Sequence, residues 1–132
     1  MKKIQLLSLA ALAAACLAAA SHHDLEELMK ANGKAYTAIE KGIAKGKFEG
    51  LRDKAQGMAD RAILLSKDFA PPIKQDEIEK FRALAIQLNA DALALKETLG
   101  TLDGAASKAQ LKQLEQTCKA CHNTFIPKKK KK

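Results

Sequence analysis

This sequence predicts an all-α fold, an antiparallel up-down-up-down four-helix bundle, and three observations predict it. Apolar residues recur at steps of three and four through most of the chain, the period of one helix face. Turn signals at Gly46, Pro71-Pro72, Gly100 and Gly104 cut that pattern into four stretches. Only 7 of 132 residues are Gly and 3 are Pro, Ala, Leu, Lys and Glu are abundant, and no strand-like alternation occurs. Short connections between long helices make neighbours antiparallel.

The first helix is expected to begin at Asp24, an N-cap with Glu27 three places on. Its apolar face is Leu25, Leu28, Met29, Tyr36, Ile39 and Ile43, and Gly42 and Gly46 are expected to loosen its end. The second helix runs from about Glu49 to Asp68 with Leu51, Ala55, Met58, Ala62 and Leu65 inward, and Pro71-Pro72 stops it. The third starts at Asp76, again with an acidic residue, Glu79, three places on. It carries the cleanest seam: Ile78, Phe81, Ala85, Leu88, Ala92, Leu95, Leu99. A seven-residue repeat of this kind belongs to a left-handed bundle. A capping box of Ser107 and Gln110 is expected to open the fourth helix, which runs to about Ile126 before Pro127.

Residues 1–20 read as a secretory signal rather than part of the fold. Lys2 and Lys3 form a positive start, Ile4 to Ala20 is apolar and short for a membrane span, and Ala18-Ala19-Ala20 offers small residues for cleavage before Ser21. The alternative is a lipoprotein leader. Leu12-Ala13-Ala14-Ala15-Cys16 loosely resembles a lipidation box, although Ala13 stands where Leu is usual, and only lipidation at Cys16 would tie the chain to a membrane. The predicted domain is then 21–127, with a basic tail at 128–132.

The formal charge is +8; without Lys2 and Lys3 it is +6, and without Lys128 to Lys132 as well it is +1. The body is nearly neutral, which argues against a nucleic-acid surface, since that would spread Lys and Arg over a folded face. The tail reads as solvated chain, or as a docking element for an acidic partner or anionic surface.

The fourth stretch carries the chemistry. Its period places Leu111, Leu114, Cys118, Cys121 and Phe125 on one face, so both thiols lie on neighbouring turns of the core stripe. Cys118-Lys119-Ala120-Cys121-His122 is the attachment signal for a c-type haem. Two thiols at this spacing can form thioethers to the two vinyl groups on one edge of the macrocycle, and His122 can then ligate the iron. The other readings are weaker. A redox Cys-x-x-Cys normally opens a helix after a strand, where the dipole lowers a thiol pKa. A zinc site needs further soft ligands, and cleavage of the leader would leave no third cysteine. A disulfide between the two remains open.

The second axial position decides the function. Met29 lies about 7 Å past the first cap and His122 about 6 Å before the end of the fourth helix, at 1.5 Å per residue. In an up-down-up-down bundle these heights match, so Met29 is the candidate distal ligand; its alternative is core packing. Met58 is weaker, about 15 Å along its helix from the haem end. His22 and His23 fall before the expected first cap and are weaker still. Leu25, Leu28, Tyr36 and Phe125 are candidates for the haem pocket.

The chain resembles the class II c-type cytochromes, the cytochrome c′ family and its low-spin relatives. The stretch Gln116-Thr117-Cys118-Lys119-Ala120-Cys121-His122-Asn123-Thr124-Phe125, near the C-terminus of a helical domain, is similar to theirs, and the likeness runs from Asp24 to Phe125. Leu28-Met29-Lys30-Ala31-Asn32-Gly33 is similar to the low-spin branch, in which a Met of the first helix is the sixth ligand. The resemblance implies one covalent haem c and a periplasmic electron carrier rather than an enzyme, with redox proteins as partners. It also implies a homodimer as one state, since relatives often pair through their first two helices. The rival is a five-coordinate protein binding nitric oxide or carbon monoxide, and Met29 discriminates between the two.

Overall fold

Helix α1 spans Ser21–Ala44, α2 Leu51–Asp68, α3 Gln75–Gly100 and α4 Gly104–Phe125 in a computed structural model that describes residues 21–68 and 75–126. The expected signal, the Pro71-Pro72 stop and the lysine tail lie outside the described residues. No strand occurs among the described residues.

Each helix runs against its neighbour, as side-chain pairs show. Arg61 Nε of α2 donates to Asn32 Oδ1 of α1 at 2.6 Å, while Leu51 of α2 lies over Gly42 of α1. On the α2–α3 seam, Asn89 Nδ2 donates to the Ala59 carbonyl at 2.9 Å and Lys96 Nζ to Gln56 Oε1 at 2.7 Å. On the α3–α4 seam, Thr117 meets Asp91 and Phe125 meets Phe81. In every case the later partner on one helix faces the earlier one on the other. The bundle is therefore antiparallel and closed in the order α1, α2, α3, α4.

The core is the predicted one on α2 and α3. Leu51, Ala55, Met58, Ala62 and Leu65 are buried, as are Phe81, Ala85, Leu88, Ala92, Leu95 and Leu99; Ile78 is half-buried near the start of α3. Ala55, Ala59 and Ala62 on α2 and Ala85 and Ala92 on α3 keep that seam short of bulk, and this pair packs most extensively. Each fully buried Leu, such as Leu95 or Leu114, contributes about 2 kcal/mol by leaving water.

Helix α1 is different. Of its predicted face only Ile39 is buried; Leu25, Leu28, Met29, Tyr36 and Ile43 are half-buried, while Ala35 and the polar Asn32 are buried. The α1–α4 seam is the thinnest of the four.

Four boundary expectations are corrected. Helix α1 begins at Ser21, so Asp24 is within it rather than its cap. Helix α2 begins at Leu51 rather than Glu49, after Gly50 takes a positive φ of 72°. Helix α4 is capped by Asp103, whose side chain accepts from the Ala106 N–H at 3.0 Å, and Ser107 is buried inside the helix. Two cap-type residues four apart compete there, and burial of Ser107 leaves the exposed Asp103 to take the orphan N–H groups. Finally, Gly42 and Gly46 do not loosen α1 but end it. Gly46, at φ 65°, lets its N–H reach the Ile43 carbonyl at 3.1 Å and the Lys47 N–H reach the Gly42 carbonyl at 2.8 Å, a Schellman closure.

A Cβ at Gly42 would stand 2.7 Å from Leu51 Cδ1 and 2.8 Å from the Lys47 carbonyl oxygen. Gly42→Ala is therefore expected to cost about 1–3 kcal/mol by overpacking. Leu102 carries the only positive φ of a non-glycine residue among the described residues, 59°, and is exposed, so Leu102→Gly is expected to gain about 1 kcal/mol. Denaturant unfolding of the two variants, moving in opposite directions, checks both.

Candidate functional site

The last three turns of α4 present the predicted residues in order. Thr117 is buried, Cys118 and Cys121 are half-buried free thiols, and His122 is exposed. One step of three residues puts both sulfurs on the stripe that faces the bundle. Opposite them α1 stands off, and the gap is an apolar cleft of about 320 Å³. Met29, Asn32 and Tyr36 of α1 line one wall and Cys118, Cys121 and His122 of α4 the other. Met58 and Leu65 of α2 with Phe81 and Leu88 of α3 form the floor.

The structure thus brings Met29, Tyr36, Cys118, Cys121 and His122 to one cavity. Leu25, Leu28 and Phe125 do not line it; they pack beside it, in one cluster with Met29, Cys121, Leu65 and Phe81. Phe125 meets Phe81 edge to face, with centroids 5.5 Å apart and an interplanar angle of 78°, which closes the end of the cluster. Met58 also borders the cleft, but it is almost wholly buried in the main core.

Burial dominates the electrostatics. It pushes the Cys118 thiol up to about 11, with Cys121 and Asp91 adding to the effect, and pushes Cys121 up as well. Both sulfurs are thiols at neutral pH, unlike the low-pKa cysteine of a redox Cys-x-x-Cys. The Tyr36 phenol is raised by burial and then by the carboxylate of Glu115. Glu115 is lowered by its hydrogen bond with Lys119, whose Nζ is 2.6 Å away. Burial lowers Arg61, which clamps Asn32 at the cleft wall.

Three polar residues here escaped the sequence reading. Asn32, Asp91 and Thr117 are all buried, and each is held by a partner on another helix. Asn32 and Thr117 stand within the two family-like stretches, three residues after Met29 and directly before Cys118, whereas Asp91 carried no such signal.

The donor set suits a haem c. The cleft is apolar, two un-ionised thiols stand along one wall, and an imidazole follows them on the same helix. Among the described residues no three His, Cys, Asp or Glu side chains gather as a protein-only metal site, so a zinc reading has no ligand set there.

The family model for cytochrome c′ matches residues 26–126, which spans all four helices and the cleft. The chain belongs to the cytochrome c′ family. Members bind one covalent haem c, so this is a haem c cytochrome of class II. A cytochrome c′ from Rhodocyclus tenuis is 43% identical over 47 residues. That match takes in 36% of this chain and 35% of the relative, so the chain spans about a third of that relative's length. No solved structure gives a match. The cytochrome c′ family is typically periplasmic, and no helix among the described residues is long and apolar enough to cross a membrane.

A raised pKa starves a thiol of its reactive thiolate. In protein made without haem attachment, Cys118 is expected to react with iodoacetamide at pH 7 on the order of a hundredfold more slowly than a free cysteine, since each unit of pKa costs about a factor of ten. The rate should climb until about pH 11. Rate measurement across pH, with Cys121→Ser to isolate Cys118, checks this; an ordinary rate at neutral pH contradicts it.

Proposed function

We propose that this cytochrome is a periplasmic electron carrier with one low-spin haem, attached through Cys118 and Cys121 and ligated by His122 and Met29. The observation that carries the reading is that Met29 and His122 line one cleft from facing helices, with both thiols in its wall.

The haem, when bound, supplies a one-electron couple between ferric and ferrous iron. The chain's own residues do the rest. Cys118 and Cys121 would hold the group covalently, which would prevent its loss outside the cytoplasm. His122, on the last turn of α4, supplies imidazole. Met29, on the apolar side of α1, supplies a neutral soft sulfur, and that pairing raises the potential. Leu65, Phe81 and Leu88 exclude water beneath the group. Leu25, Leu28 and Phe125 pack with Met29 and Cys121 against Leu65, Phe81 and Ala85, a cluster that would limit movement of both side chains. The Tyr36 phenol, beside Glu115, closes the wall above Cys118.

Met29 is preferred to Met58 because it is half-buried and lines the cleft from the helix that faces His122. Met58 is buried in the main core, in the cluster that also holds Ile39, Leu95 and Leu114. With His122 and Met29 both holding the group, the chain would leave no vacant ligand position for a substrate, which is why the reading is a carrier and not an enzyme. Its partners are other redox proteins, met through small transient interfaces. Export follows from reading residues 1–20 as a signal cleaved before Ser21, with lipidation at Cys16 as the alternative.

The test is the visible and paramagnetic-resonance spectrum of the ferric protein, repeated on Met29→Ala. The expected result is a low-spin spectrum with the weak methionine-to-iron band, converted by the mutation to a high-spin form that binds carbon monoxide when reduced. A high-spin wild-type spectrum unchanged by the mutation contradicts it and favours gas binding.

A further inference from the structure

Behind the wall of the cleft lies a charge that the proposed carrier does not need for holding its haem. Asp91 of α3 is 5% exposed. Thr117 Oγ1 of α4 donates to its Oδ2 at 2.5 Å, and Gln87 Nε2 donates to its Oδ1 at 2.9 Å. Among the described residues these two neutral donors are its partners, and neither ion pair there includes it. Each carboxyl oxygen thus accepts one hydrogen bond from a neutral donor.

A structural clasp between α3 and α4 does not require this. Asparagine could accept from Thr117 at the same place without the cost of burying a charge that has no cation. The position of the charge is the informative part. Thr117 lines the cleft and precedes Cys118, so Asp91 stands one side chain behind the wall that carries the thiols. The same carboxylate adds to the upward push on Cys118, so its field reaches that sulfur.

Ferric haem with neutral axial ligands carries one more positive charge than ferrous haem. A fixed negative charge nearby in a poorly polarisable interior stabilises the ferric form. We propose that Asp91, fixed in place by hydrogen bonds from Thr117 and Gln87, is a positioning residue whose carboxylate lowers the reduction potential of the haem attached at Cys118. This rests on the attachment and carrier reading given above.

The experiment is a redox titration of the holoprotein at pH 7, wild type against Asp91→Asn, at low and high salt. The expected result is an increase on the order of tenfold in the equilibrium constant for reduction, about 59 mV for a one-electron couple, surviving in high salt because the charge is buried. The low-spin spectrum should be unchanged. Equal potentials with an intact low-spin spectrum overturn the proposal and leave the carrier reading standing. A difference that vanishes with salt overturns it too. A wild type without covalent haem overturns both. Should Asp91→Asn not accumulate, Asp91→Ser removes the same charge and keeps a hydroxyl to meet Thr117. Its potential must then rise likewise, and an unchanged value overturns the proposal.

Discussion

The thin seam between α1 and α4 is the constraint on which the functional end of the bundle depends. Alanines let α2 and α3 close on each other, and α4 is drawn to α3 by Leu111, Leu114 and the Asp91–Thr117 hydrogen bond. Helix α1 is held by α2 at both ends of their contact, through Asn32–Arg61 and Gly42–Leu51, and leans away from α4. A bundle with too few large side chains for four tight seams leaves one seam open, and a large apolar cofactor can supply the missing core. The half-buried state of Met29 and Tyr36 has the same origin, because both border the cleft, while Leu25 and Leu28 pack beside it.

That seam also sets the electrostatics. Thiols that face an apolar gap stay protonated, which removes the thiolate chemistry that a Cys-x-x-Cys otherwise offers. The polar groups near the gap are each held by another helix: Asn32 by Arg61, Asp91 by Thr117, the Tyr36 phenol beside Glu115. Each of these pairs does double service, joining two helices and placing a dipole or charge near the wall. Rigidity there would serve the proposed electron transfer, since a cradle that does not rearrange keeps the cost of changing oxidation state low.

How much of this the residues disclose in advance varies by helix. The seam of α3 reads cleanly because its core positions repeat without interruption from Ile78 to Leu99, and packing on two neighbours leaves the pattern no freedom. The stripe on α4 proposed for haem attachment is equally clear as a pattern, because two thiols and an imidazole at fixed spacing have few other uses. Helix α1 reads less well: Ala35 and Asn32 are more buried than Leu25 or Leu28, since exposure there is set by the cleft and not by the helix period. Asp91 and Thr117 are illegible locally, because each looks like a solvent position until its partner 26 residues away is known. Likewise Asp103 and Ser107 are both good caps by type, and only the burial of Ser107 settles which is used.

The central claim is that α1 delivers Met29 to an iron already held by α4. Proton NMR of the reduced, diamagnetic protein tests it most directly. The prediction is a single methionine methyl resonance displaced far upfield by the ring current of the macrocycle, present in the wild type and lost in Met29→Ala, with the Met58 methyl at its ordinary position. Methyl resonances at ordinary positions for both methionines would contradict it, and would leave the cleft with an open iron face.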